Sequence, residues 1–181
     1  YTYTSSTGLM TGSTDPRGYS ASYQYDVMGR LTKVTEGSLS AGFTYEDGLL
    51  TGLETATGEA YTFEYDKFGN STEIGVGDVT LVTRSFNNRG LPKTVDYANG
   101  GEVAYTYDGL DRLTEVRYDG SSSPAYEYSY TASGDLGLVK DHENNLRTRY
   151  VYDASGNLVS VRTISGADGD DGSAKVSLDY T

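Results

Sequence analysis

The chain is 181 residues long and carries 26 Asp and Glu against 14 Lys and Arg, which gives a net charge of −12. This charge repels phosphate backbones and anionic membrane surfaces, and no apolar run is long enough to span a bilayer, so neither nucleic-acid binding nor membrane insertion is expected. The lack of Cys and the single His argue against disulfides, thiolate metal sites and His-based nucleophile activation, whereas 18 Tyr and 23 Gly favour β-strands joined by tight turns.

A short pattern recurs along the chain: two aromatic residues spaced by two, then Asp, a Gly three residues later and an apolar, β-branched segment. Its best copies are Tyr23–Leu31, Tyr105–Leu113 and Tyr150–Leu158, and degenerate or shortened copies lie between them at Phe43–Leu49, Phe63–Asn70, Ser85–Leu91 and Tyr128–Leu136. The second aromatic of each copy, with the half-copies at the two ends, lies at 3, 25, 45, 65, 86, 107, 130, 152 and 180. A near-constant period predicts a repeat fold, here one array of about eight repeats over residues 1–181. Both ends fall at the same phase of the unit, so we expect a fragment of a longer protein.

Each repeat predicts two strands and two turns. The paired aromatics share one strand face, the Asp can close an Asx-turn, and the Gly supplies positive φ. A second strand follows, as in Leu31–Val34, and Gly- or Asn-centred clusters such as Asn99–Gly101 lead to the next repeat. The sequence therefore predicts an all-β fold of tandem antiparallel β-hairpin repeats, with some sixteen strands. Because Leu31 and Val34 are three apart, either a bulge lies between them or both faces carry apolar residues.

The residues predicted to hold the repeats together are the motif aromatics, the turn aspartates and the turn glycines. They are Tyr23, Tyr25, Asp26, Gly29, Tyr65, Asp66, Gly69, Tyr105, Tyr107, Asp108, Tyr128, Tyr130, Gly134, Tyr150, Tyr152, Asp153 and Gly156. The recurrence of the aspartates at one turn position favours turn chemistry over paired catalytic carboxylates. No catalytic residue and no cofactor are predicted.

Three other features have both a functional and a purely structural interpretation. His142 lies in an inter-repeat turn and is interpreted as a surface residue. Asp168, Asp170 and Asp171 offer oxygen ligands for Ca²⁺ but lack a downstream bidentate Glu, which favours a solvated insertion. The tyrosines outside the motif phase are expected to be free to form a binding surface, since a tyrosine ring offers an apolar face and a hydroxyl; they are Tyr19, Tyr61, Tyr97, Tyr118 and Tyr126.

The unit at residues 23 to 31 resembles the YD repeat of the Rhs family, and Arg30 and Leu31 complete the match. The resemblance implies a spiralling sheet, β-solenoid-like or a partial shell, as in bacterial polymorphic toxin shells, wall-associated proteins and teneurins. It also implies a non-catalytic structural segment of a secreted or cell-surface bacterial protein, whose partners are the rest of the parent array and an enclosed toxin or cargo domain. The alternative is an adhesion or carbohydrate-binding module that presents the repeat surface to a cell-surface glycan or protein. Unpaired edge strands predict end-to-end self-association.

Overall fold

The computed structural model describes residues 1–166 and 174–179, and these residues form strands and turns. The chain divides into two compact units, Tyr1–Arg84 and Ser85–Thr181. The strands that begin in the first unit are β1 (Thr2–Tyr3), β2 (Met10–Thr14), β3 (Ser20–Tyr25), β4 (Leu31–Glu36), β5 (Leu39–Glu46), β6 (Leu49–Glu54), β7 (Ala60–Tyr65), β8 (Ser71–Val76) and β9 (Val79–Phe86). No helix in the described part of the chain is long and apolar enough to cross a membrane.

The strands of the second unit are β10 (Pro92–Tyr97), β11 (Glu102–Tyr107), β12 (Leu113–Tyr118), β13 (Tyr126–Tyr130), β14 (Leu136–Asp141), β15 (Leu146–Tyr152), β16 (Leu158–Ser165) and β17 (Ala174–Asp179). From β1 to β9, each strand pairs antiparallel with the strand that follows it in sequence. The same holds from β10 to β17. The predicted all-β fold of tandem antiparallel hairpins is confirmed.

A β-bulge beside the second aromatic explains the Leu-x-x-Val spacing. In the β3–β4 hairpin Tyr23 faces Val34 and Gln24 faces Lys33, but Tyr25 faces Leu31, so Thr32 is the extra residue. Leu31 and Val34 therefore lie on the same face of the sheet as the two tyrosines. The β11–β12, β13–β14 and β15–β16 hairpins show the same shift. Of the two alternatives that the sequence left open, the bulge is the one observed.

Neighbouring repeats pair over only part of their strands. Between β6 and β7 the paired residues run from Gly52 with Thr62 to Glu54 with Ala60, next to the inter-repeat turn. Between β12 and β13 they are Glu115 with Glu127 and Val116 with Tyr126. The half of each such strand that lies nearer the Asp turn is outside this ladder, so other contacts must join the repeats there.

The two faces of the sheet differ in chemistry. One, the aromatic face, carries in β11–β13 the side chains of Tyr105, Tyr107, Val116, Tyr126, Tyr128 and Tyr130. The other, the charged face, carries in the same strands Thr106, Glu115, Arg117, Glu127 and Ser129. Side chains of the aromatic face are mostly half-buried, and among the described residues the buried hydrophobic ones are Val95, Val116 and Ala125 at 7 to 8% exposure. Stabilisation of this face therefore comes mainly from cross-strand neighbours.

Candidate functional site

The turn aspartate organises the loop that joins the two strands of a repeat. The Asp108 carboxylate accepts hydrogen bonds from the backbone N–H groups of Leu110 and Arg112, at 2.9 and 3.0 Å, through Oδ1. Its Oδ2 accepts a third from Arg112 Nε at 2.8 Å. Two backbone bonds, Asp108 N–H to Arg112 O and Asp111 N–H to Asp108 O, close the turn. One carboxylate thus satisfies three donors in a five-residue loop.

The same turn recurs with substitutions that preserve its acceptor. Asp26 binds the backbone of Met28 and Arg30, and Asp153 binds the backbone of Ser155 and Asn157. Asn87 does so with a side-chain amide oxygen, at 2.9 and 3.0 Å from the N–H groups of Arg89 and Leu91. An oxygen at this position, not a charge, is what the backbone of the turn requires.

Tyrosine hydroxyls join neighbouring repeats where the ladder is interrupted. Tyr130 Oη donates to the carbonyl of Leu113 at 2.8 Å, and Leu113 lies outside the paired part of β12 and β13. Equivalent bonds run to Met10, Leu50 and Leu136 from Tyr25, Tyr65 and Tyr152, at 2.8 to 3.0 Å. In each case the second motif tyrosine donates to the backbone of the preceding repeat, at a point where strand pairing has ended.

An arginine after the positive-φ residue of the turn, Gly29 or Asp111, adds a second link. The Arg112 guanidinium carbon lies 4.3 Å from the ring centroid of Tyr130, and that of Arg30 lies 4.6 Å from Tyr45, each ring belonging to the next repeat. The same arginines form ion pairs with Asp108 and Asp26 of their own turns, at 2.6 and 2.7 Å. An Asp–Arg–Tyr cluster therefore ties a turn to the neighbouring hairpin by a cation–π contact.

Hydrogen bonding lowers the pKa of the turn carboxylates below the usual value of 3.8 for Asp. The largest cause is the Arg112 side chain for Asp108, the backbone N–H of Arg30 for Asp26, and the amide groups of Asn70 and Asn157 for Asp66 and Asp153. Each bond favours the ionised acceptor.

These turns should make stability acid-sensitive. A carboxylate whose pKa is lower in the folded than in the unfolded state stabilises the fold fully above the unfolded pKa. That contribution is lost as the pH falls below 3.8 and through the lowered folded pKa. Melting temperatures measured by circular dichroism from about pH 7 to about pH 2 should fall on the acid side.

The matched control replaces the four aspartates with Asn, which already occupies this position at Asn87. This variant should retain the turn bonds and show a flatter acid limb. An identical acid limb in both proteins would contradict a role for these carboxylates.

The structure places the predicted repeat residues in two groups. The motif tyrosines lie on the aromatic face: Tyr23, Tyr25, Tyr65, Tyr105, Tyr107, Tyr128, Tyr130, Tyr150 and Tyr152. Asp26, Asp66, Asp108 and Asp153 begin the turns, and Gly29, Gly69, Gly134 and Gly156 have φ between 82° and 99° within them. Open space around Gly69 and Gly156 means that φ, not crowding, selects Gly there.

Four of the five tyrosines outside the motif phase lie on the same face as the motif tyrosines. Tyr61, Tyr118 and Tyr126 face Val76, Val103 and Val116 across strand pairs, and Tyr97 has the parity of Val95, so all four extend the aromatic face. These four tyrosines lie outside the motif, but each is an even number of strand positions from other residues of the aromatic face, so its side chain lies on that face. Tyr19, in the turn before β3, is 63% exposed and lies under the Arg17 guanidinium.

Of the candidate acid–base and metal-binding residues, the structure describes His142 but not the acidic insertion. His142 follows β14 in a turn, and its Nε2 lies 3.2 Å from Glu127 Oε1. In residues 1–166 and 174–179 no group of three or more His, Asp and Glu side chains is arranged to hold a metal ion. Asp168, Asp170 and Asp171 lie outside the described residues.

The two links between repeats are not predicted by the repeat pattern. The hydrogen bond from Tyr130 Oη to Leu113 O can be predicted only when the end of the strand ladder is known, and no residue pattern indicates that end. The arginine stack does have a signal in the sequence. Arg30 and Arg112 both follow the positive-φ residue of the turn, and a Leu follows each of them.

Comparison with known proteins agrees with this geometry. The family model "RHS Repeat" matches residues 5–39 and 86–123. No curated protein sequence matches the chain. The crystal structure of TcdB2-TccC3-Cdc42 is similar over 86% of this chain and 10% of its own, with a TM-score of 0.68 and 13% identity. That of TcdB2-TccC3 without its hypervariable C-terminal region is similar over 86% and 9%, with a TM-score of 0.66 and 14% identity. The chain thus spans about a tenth of these chains, and the likeness establishes the fold.

Proposed function

We propose that this chain is built from RHS repeats throughout, beyond the matched residues 5–39 and 86–123, and that it is a non-catalytic segment of a β-shell or scaffold that encloses a toxin or cargo domain. The parent is a secreted or cell-surface bacterial protein. The observation that carries the proposal is the repeated link between hairpins, in which the Tyr130 hydroxyl and the Arg112 guanidinium join one repeat to the next. A unit that binds its own neighbour in this way extends a wall by repetition.

The use of the polar groups supports a structural role. The turn aspartates accept up to three hydrogen bonds each within their own loops, which leaves them poorly placed to act as a base or nucleophile. Elsewhere in the described residues, Glu115 pairs with Arg117 at 2.6 Å and Glu127 with Lys140 at 3.1 Å. We interpret these hydrogen bonds and ion pairs as contacts that stabilise the wall of a shell. The proposed partners are the rest of the parent array and its cargo.

The test uses the parent chain that contains this segment. Limited proteolysis with electron microscopy should show a closed wall and an internal domain that resists protease until denaturant is added. Arg112→Ala and Tyr130→Ala, which remove the inter-repeat link, should speed cleavage of that domain, while Arg17→Ala, at an exposed turn, should not. Cleavage of the domain at the same rate in every form would overturn the enclosing role.

An adhesion or carbohydrate-binding module is the second candidate, favoured by one patch of the aromatic face. Tyr97 is 45% exposed, and Tyr118 and Tyr126 form an edge-to-face pair with ring centroids 6.3 Å apart. Rings that are partly exposed in this way can stack on the apolar face of a sugar. Saturable glycan-array binding by the purified chain, lost in Tyr97→Ala but not in Tyr1→Ala, would favour this function over the scaffold.

A further inference from the structure

Two tyrosine rings close the base of the loop that joins β12 to β13. Tyr118 ends β12 and Tyr126 begins β13, and their ring centroids lie 6.3 Å apart with an interplanar angle of 78°. Both residues are half-buried, so small solutes can reach them. The fold therefore brings two phenol groups together, within reach of solvent, at a boundary between consecutive repeats.

Strand pairing is short at this boundary. The β12–β13 ladder consists of two residue pairs, Glu115 with Glu127 and Val116 with Tyr126. The loop adds a backbone hydrogen bond from the Ala125 N–H group to the Val116 carbonyl at 2.8 Å. Within the preceding hairpin, by contrast, five residue pairs join β11 to β12. A covalent bond between the two rings would therefore reinforce a boundary that has few backbone hydrogen bonds.

Tyr126 differs from the motif tyrosines in the group that lies next to its hydroxyl. Tyr126 Oη lies 3.4 Å from Glu143 Oε2. The hydroxyls of Tyr130 and Tyr152 instead donate to backbone carbonyls. A carboxylate can take up a proton near neutral pH, whereas an amide carbonyl cannot. Tyr126 therefore has a proton acceptor that these motif tyrosines lack.

The charges around Tyr126 favour the loss of an electron together with a proton. The Asp141 carboxylate is the largest cause of a raised pKa of Tyr126, and the Glu143 carboxylate adds to it. The hydroxyl is therefore protonated at neutral pH, and oxidation of the ring requires an acceptor for that proton. Negative charges also stabilise the more positive ring that electron loss creates. Both effects distinguish Tyr126 as a site of one-electron oxidation.

We propose that Tyr118 and Tyr126 form an oxidative cross-linking site, at which hydrogen peroxide acting through a haem peroxidase joins the two rings as dityrosine. Each ring gives one electron to the peroxidase, and the hydroxyl protons pass to Glu143 from Tyr126 and to water from Tyr118. The two phenoxyl radicals then form a carbon–carbon bond between the ring carbons adjacent to their C–O carbons. Each of these carbons passes its hydrogen to a phenoxyl oxygen, which restores both aromatic rings. The protein loses two hydrogens in all, and one hydrogen peroxide is reduced to two water molecules.

The product is a covalent bond across the boundary between two repeats. It closes the loop between Tyr118 and Tyr126 and restricts the separation of β12 from β13 in the unfolded chain. A disulfide acts in the same way, but this chain contains no Cys. The reinforcement does not depend on what the array encloses, so its test is independent of the proposed function.

The test treats the dilute, purified chain with a haem peroxidase and hydrogen peroxide and maps the product by mass spectrometry. Proteolytic cleavage before aspartate separates the two tyrosines at Asp119. The cross-link should therefore join peptides 111–118 and 119–134, with the loss of two hydrogens. Tyr118 is the single tyrosine of the first peptide, and fragmentation locates the partner ring in the second. The native chain should give this joined peptide and the fluorescence of dityrosine.

Conservative variants assign the rings and the proton acceptor. Tyr118→Phe and Tyr126→Phe should each abolish the joined peptide. Tyr128→Phe is the matched control, because Tyr128 lies on the same face and in the same peptide as Tyr126, and its loss should leave the product unchanged. Glu143→Gln should slow the joining several-fold, and added acetate should restore part of the rate by replacing the lost carboxylate. Circular-dichroism spectra that match the native spectrum show that each variant is folded.

Four results would overturn the proposal. A joined peptide that persists in Tyr126→Phe would place the cross-link on another ring of the same peptide. Covalent dimers in place of the modified monomer would show that the rings react between chains. Oxidation of the native chain with no joined peptide would show that the two rings do not couple. A native rate in Glu143→Gln would remove the carboxylate from the reaction.

Discussion

Val116→Asp is expected to abolish the cooperative unfolding transition of the second unit, or to lower its midpoint more than any other single change considered for this chain. Val116 is 7% exposed and faces Tyr105 on one neighbouring strand and Tyr126 on the other. A carboxylate there is surrounded by aromatic and aliphatic groups and gains no partner. The cost of an uncompensated buried charge is about 3 to 5 kcal/mol, a large share of the stability of a small domain.

The measurement is urea unfolding followed by circular dichroism. Val116→Ala separates the effect of charge from that of lost volume and should cost roughly 1 to 2 kcal/mol. Val27→Asp is the matched control, since Val27 is 105% exposed in a turn and should tolerate Asp with little change. Equal urea midpoints for Val116→Asp and Val27→Asp would show that the cluster around Val116 is not a core.

The contrast between Val116 and Val27 shows what the sequence can and cannot predict. Both are apolar, and the repeat pattern alone places Val27 in a turn and Val116 in a strand opposite an aromatic. How deeply Val116 is buried depends on what lies beside it, and the neighbours that matter, Tyr126 and Ala125, belong to the next repeat. The strands, the turns and the turn chemistry are predictable because they depend on residues within about ten positions of each other.

The face on which Tyr126 lies and the meaning of the Leu-x-x-Val spacing both follow from strand parity counted within one repeat. Tyr126 lies outside the motif, but its spacing of two from Tyr128 places both side chains on one face. The Leu-x-x-Val spacing returns in Leu113–Val116 and Leu158–Val161, which is what a bulge at a fixed point of each hairpin produces. Strand parity counted within each repeat is therefore sufficient to place Tyr126 on the aromatic face.

The position of Arg149 opposite Arg162 could not be found from the sequence at all. Arg149 and Arg162 are 13 residues apart, and they face each other only because Tyr152 pairs with Leu158 across a bulge. A shift of one residue in that register would place the two arginines on opposite faces of the sheet. Sites built from side chains of several strands depend on register in this way, whereas turn chemistry does not.

The residue after the positive-φ position of the Asp turn makes the repeats unequal. Arg30 and Arg112 stack on a tyrosine of the next repeat, whereas the contacts of the Asn70 and Asn157 side chains with described residues are to the Asp of their own turn, each at 2.9 Å. Asn keeps the turn but lacks the group that reaches the neighbouring ring. In a repeat array, stability is approximately a sum of repeat and interface contributions, so the interfaces with arginine should open last.

Tyr130 tests this difference between interfaces. Tyr130→Ala removes the ring that faces Leu136, the stack with Arg112 and the bond to the Leu113 carbonyl, and should cost about 2 to 4 kcal/mol for a half-buried aromatic. Tyr130→Phe keeps the ring, removes the hydroxyl donor and should cost about 1 kcal/mol. Urea unfolding of both variants gives these values directly.

A double-mutant cycle isolates the stack. Arg112→Ala combined with Tyr130→Ala should show a coupling of roughly 0.5 to 2 kcal/mol. Tyr152 provides the control, because it donates to the Leu136 carbonyl at 3.0 Å as Tyr130 does to Leu113, but Asp135 takes the place of the arginine. Asp135→Ala and Tyr152→Ala should therefore be nearly additive. Additive effects at Arg112 and Tyr130 as well would mean that the guanidinium serves its own turn alone, and that the tyrosine hydroxyl and the strand ladder are what join one repeat to the next.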